Sequence, residues 1–113
     1  MIQILHNPRC TKSRQGIALL EDEGQTFEVI KYLDNNLTIA QLTEIISKLD
    51  IAPLELVRKN EAIWKSDFKG KELSDSEIIE AMVNHPKLIE RPIVINKNKA
   101  VIGRPIEAIK TIL

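Results

Sequence analysis

The chain has 113 residues, 43% of them hydrophobic, and its sixteen basic residues balance sixteen acidic ones. That length is one ordinary domain, and that apolar share can build a packed core without disulfides or a structural metal. Neutrality argues against a globally basic nucleic-acid binder and against an acidic tail protein, while leaving local clusters of like charge open.

The first residues, Met1 to His6, have no positive leading segment and too short an apolar stretch for a secretory signal. No apolar run approaches the roughly 18 residues that span a membrane, so a cytoplasmic location is expected. Ile2 to Leu5 reads as a short strand that ends at the loop-forming His6-Asn7-Pro8. From Ser13 to Glu23 the apolar residues fall on a helical pattern closed by Gly24, and Phe27 to Tyr32 reads as a second strand. Thr38 can cap a helix carrying Leu42, Ile45, Ile46 and Leu49, and Pro53 opens a short helix through Val57 and Arg58. Ser74 or Asp75 can cap another, through Ile78, Ile79, Met82 and Val83, that stops before Pro86. Pro92 to Ile95 and Ala100 to Ile102 read as strands joined by a turn at Asn96 to Lys99. Pro105 starts a last helix with Ile106, Ile109 and Leu113 on one face. The order β-α-β, helical insert, β-β-α predicts a single α/β domain over residues 1–113 with a mixed sheet flanked by helices. This is the thioredoxin-fold arrangement, with a helical insertion at about residues 37–90.

Cys10 is the only cysteine, which fits a reducing compartment and forbids an internal disulfide or a zinc or iron–sulfur site built on several thiolates. It follows a strand and a proline loop and immediately precedes a helix. The free N–H groups and partial positive charge of a helix start stabilise a thiolate there, and Arg9, Lys12 and Arg14 add positive charge. A lone cysteine is often just a small core residue. The polar, cationic stretch from Asn7 to Arg14 argues for reactivity instead. Ser13 stands where a dithiol oxidoreductase has its second cysteine, so a resolving thiol must come from another molecule. Arg58, Arg91 and Arg104 form a second feature, the latter two directly before Pro92 and Pro105. If they converge on the thiolate they make an oxyanion site; otherwise each is a solvated surface charge. In a thioredoxin arrangement Pro92 opens the third strand, faces the cysteine loop in a cis peptide and brings Arg91 with it. His6 is either a base or electrostatic modulator of Cys10 or an end-of-strand polar residue. Trp64 reads as packing, and no metal-ligand cluster or phosphate-cradling glycine loop is visible.

Five segments together resemble the glutaredoxin-dependent arsenate reductase family: His6-Asn7-Pro8-Arg9-Cys10 with Ser13-Arg14, Leu56 to Asn60, His85-Pro86, Arg91 to Val94, and Gly103-Arg104-Pro105. The resemblance covers essentially the whole chain. It implies a glutaredoxin-like fold, Cys10 as the nucleophile toward arsenate or a similar oxyanion, and Arg58, Arg91 and Arg104 as the oxyanion's holders. His6 is implied to influence the cysteine, with Asn7, Ser13, Arg14 and Pro92 in support. It further implies glutathione as co-substrate, a glutaredoxin as partner and no bound cofactor or metal, and the chain is expected to be a monomer without nucleic-acid or membrane partners. Two other readings share the scaffold. A glutathione-linked monothiol oxidoreductase would have little use for three arginines. An Spx-type RNA polymerase-binding regulator would need the second cysteine that Ser13 replaces.

Overall fold

The structure is a computed structural model that describes residues 1–113. The chain divides into two compact units, Met1–Asn35 with Arg91–Leu113, and Asn36–Glu90. None of its helices is long and apolar enough to cross a membrane.

The first unit holds β1 (Ile2–Leu5), α1 (Thr11–Asp22), β2 (Phe27–Ile30), β3 (Ile93–Asn96) and β4 (Lys99–Ile102). The strands make one mixed sheet in the order β2-β1-β3-β4, with β1 parallel to β2 and the other two pairings antiparallel. The parallel pair needs a crossover, and α1 supplies it. Ile4 pairs with Val29 on one side and Val94 on the other. Ile2, Ile4 and Val94 pack with Leu20 of α1 and with Ile109 into the core of this unit. The second strand is shorter than expected: Tyr32 is buried, but in a turn closed by the Asp34 N–H donating to the Lys31 carbonyl.

The expected C-terminal helix is a 3₁₀ helix, Ile106–Ile112. Its apolar residues explain the difference. Side chains three apart eclipse in a 3₁₀ helix, so Ile106, Ile109 and Ile112 share the face that meets the core, and Leu113 is left exposed.

The second unit is helical: α2 (Ile39–Leu49), α3 (Ala62–Asp67) and α4 (Asp75–Asn84), with 3₁₀ turns at Pro53–Leu56 and Pro86–Leu88. Thr38 and Gln41 form a reciprocal capping box at the start of α2, and Ser74 and Glu77 form another at α4. A single antiparallel bridge, Val57 to Ile89, sits beside Arg58, whose N–H donates to the Leu88 carbonyl at 2.7 Å.

The Arg91-Pro92 peptide is cis, as expected from its place in the fold, and so is Arg104-Pro105. The Pro92 ring is wedged between two glycines. A Cβ on Gly103 would lie 2.9 Å from Pro92 Cγ, and one on Gly16 would lie 3.1 Å from the same atom. A proline ring cannot rotate out of the way. Gly103→Ala is therefore expected to destabilise the protein by about 1–3 kcal/mol, the usual cost of overpacking, measured as a lowered urea midpoint. An unchanged midpoint would mean that Pro92 yields without cost.

Candidate active site

Cys10 is the residue that joins the β1 loop to α1, and its extended backbone (φ −95°, ψ 122°) leaves the helix start open toward its side chain. The loop before it is held by polar side chains. The His6 N–H donates to the Ile30 carbonyl and the Cys10 N–H donates to the Asn7 carbonyl, each at 3.0 Å. The Asn7 side-chain oxygen accepts from the Arg9 N–H at 3.0 Å. From the outside, Arg14 donates to the Pro8 carbonyl at 2.8 Å and to the Thr11 hydroxyl at 3.2 Å.

Ser13 is fully buried and ties this loop together. Its Oγ accepts from the Asn7 N–H at 2.9 Å and lies 2.6 Å from His6 Nδ1. The arrangement that uses every group has the Ser13 O–H donating to a bare Nδ1, with the ring proton on Nε2. Burial lowers the His6 pKa, and the nearby charges of Lys31 and Arg14 lower it further, which favours the neutral imidazole. His6 thus meets the Cys10 loop through Ser13.

Two consequences can be measured. Ser13→Ala strands a buried N–H and a buried ring nitrogen and is expected to cost about 1–3 kcal/mol of stability by urea unfolding. Because the folded-state pKa of His6 lies below its ordinary value of about 6.5, unfolding at lower pH takes up a proton. The stabilising contribution is full above that pH and is lost as the pH falls below it. Wild type should lose stability over that window, and His6→Gln should lose less.

Cys10 is half-buried. Burial raises its pKa, but the backbone N–H groups of Ser13 and Lys12 and the hydrogen bond and charge of Arg91 outweigh this, so the thiol lies below its ordinary range. Arg104 reaches the same sulfur, with Nη2 3.6 Å from Cys10 Sγ. Its Nε donates to the Arg91 carbonyl at 2.8 Å, which fixes the direction of the guanidinium. Two of the three expected arginines thus meet at Cys10. Arg58 belongs to the second unit, where its guanidinium lies 3.6 Å from Glu90 and 3.9 Å from Glu61. The Arg104 bond to the Arg91 backbone and the packing of Gly16 and Gly103 on Pro92 have no local signature in the sequence beyond the adjacent Gly103-Arg104-Pro105.

A helix start and two guanidinium groups around a half-exposed thiol are an arrangement that can support nucleophilic attack on an oxyanion. The model of the ArsC family matches residues 5–112 of the chain. The arsenate reductase of Neisseria meningitidis serogroup A is 40% identical over 99% of this chain and 97% of its own length. That of Haemophilus influenzae is 41% identical over 97% of both chains. Among solved structures, the arsenate reductase from Vibrio cholerae superposes with a TM-score of 0.94 at 39% identity, covering 99% of this chain and 97% of that one.

Proposed function

The chain belongs to the ArsC family, and from that premise we propose that it reduces arsenate to arsenite through Cys10, with glutathione and a glutaredoxin completing the cycle. The observation that carries this reading is the meeting of Arg91 and Arg104 at the Cys10 sulfur, at the start of α1.

The Cys10 thiolate attacks arsenic, and an arsenate oxygen leaves as water once protonated, forming a sulfur–arsenic(V) bond. Negative charge on the remaining oxygens is neutralised by guanidinium groups whose forked N–H donors match an oxyanion. Arg91 and Arg104 are the two that stand at the sulfur, and Arg58 is the third holder that the family resemblance implies. Glutathione then attacks the adduct. Two thiols together give up two electrons and become a disulfide, arsenic(V) becomes arsenic(III), and arsenite leaves Cys10. Ser13 has no sulfur with which to close an internal disulfide, so the electrons come from outside the chain. His6, Asn7, Ser13 and Arg14 serve as positioning residues that hold the Cys10 loop.

The test is arsenate-dependent NADPH oxidation in a mixture of the protein, glutathione, glutathione reductase and a glutaredoxin. Turnover that needs both arsenate and the glutaredoxin is expected. Turnover on a glutathionylated peptide alone, unchanged in Arg91→Ala, would instead assign the chain to glutathione mixed-disulfide exchange.

A further inference from the structure

The second unit carries a groove that the proposed chemistry does not use. It has a volume of about 230 Å³ and is floored by Trp64, Phe68, Leu73 and Ile78, with Leu54 at its rim. Lys59, Lys69 and Lys71 line it, and no aspartate or glutamate does. None of the three lysines is paired with a carboxylate. Lys69 and Lys71 flank Gly70, whose φ of +83° turns the chain, and the turn is closed by the Lys71 N–H donating to the Phe68 carbonyl at 3.2 Å. In the floor, the Trp64 and Phe68 rings stack at 5.5 Å.

We propose that this groove docks an acidic segment of a partner protein, with one apolar side chain of that segment seated on Phe68 and Leu73 and its carboxylates met by Lys59, Lys69 and Lys71. Charge complementarity selects the partner's sign: three lysines line the groove itself and favour an anionic segment there, the nearest lining carboxylates, Glu77 and Glu80, belonging to the adjoining hollow. Size selects the class. The groove is smaller than the roughly 300–1,000 Å³ of small-molecule sites and suits a single anchoring side chain. Nucleic acid would need exposed rings on which to stack, and a membrane surface would need an exposed apolar face. Trp64 is only 7% exposed and presents no ring face to a base or a bilayer, while the part-exposed Phe68 and Leu73 leave room for one side chain.

The probe is a blocked hexapeptide of five acidic residues around one phenylalanine, titrated into the ¹⁵N-labelled full chain. Saturable shifts are expected at Lys59, at the Trp64 indole and from Phe68 to Leu73. Binding should weaken with added salt, about tenfold or more in the combined Lys59→Glu, Lys69→Glu and Lys71→Glu variant, and severalfold when the peptide's phenylalanine becomes serine. The lysines are exposed, and the single variants Lys69→Glu and Lys71→Glu should move binding the same way if the triple one is unstable. The proposal is overturned if no saturable shift develops, if charge reversal leaves binding unchanged, or if a basic peptide binds equally well. It is also overturned if phosphatidylglycerol vesicles or a single-stranded oligonucleotide displace the peptide from these residues at lower concentration.

Discussion

Cys10→Ser is expected to bring arsenate turnover down to background, a loss on the order of 10³-fold or more, equivalent to about 4 kcal/mol of barrier. A serine hydroxyl in the same place keeps the shape but not the nucleophile. Its proton is held far more tightly than a thiol's, and the site offers no base in contact with it: His6, the nearest candidate in the sequence, is engaged with Ser13. Oxygen also cannot carry the thiol–disulfide steps that follow. Cys10 is half-buried at the cap position of α1, where serine is a favoured residue, so the variant should fold. Binding of arsenate to Cys10→Ser, followed by calorimetry, should survive because the guanidinium groups remain. If turnover persists in the variant, another group is the nucleophile and the assignment fails.

Arg104→Ala should cost about 10²–10³-fold in kcat/KM for arsenate, the usual loss when a donor aimed at developing charge is removed. The size of the effect follows from what one guanidinium does at once. It directs Nη2 at the Cys10 sulfur and anchors Nε on the Arg91 carbonyl. Lysine has a single nitrogen and cannot do both, so Arg104→Lys should recover only a small part of the loss. Arg104 is exposed, and its removal should shift the urea midpoint little compared with Gly103→Ala. A variant with ordinary kcat/KM but lowered stability would make Arg104 a structural clamp instead.

The elements with strong local chemistry were legible in the sequence. Thr38 reads as one cap and Ser74 or Asp75 as another; Thr38 and Ser74 fold as the caps of α2 and α4, and Gln41 and Glu77 complete each into a capping box. The segment Ala62–Asp67 was missed as a helix because six residues are too few for a helical period to register. The C-terminal helix was given the wrong period: Ile106, Ile109 and Ile112 are spaced by three, a 3₁₀ spacing read as an α pattern ending at Leu113. Around Cys10, a helix start after a proline loop is written in the residues themselves. The partners are not. Nothing local pairs Arg104 with a carbonyl thirteen residues away, or buries Ser13 between His6 and Asn7, because those contacts exist only once β1, β3 and α1 pack together.

The most direct test of the account is the pH dependence of Cys10 alkylation by iodoacetamide in the native chain, with the unfolded chain in urea as reference. The native rate is expected to rise and level off at lower pH than in the reference, since the α1 N–H groups and Arg91 hold the thiolate. Arg91→Ala should move the profile back up. A native profile that coincides with the unfolded one would contradict the claim that this site is built to hold a thiolate.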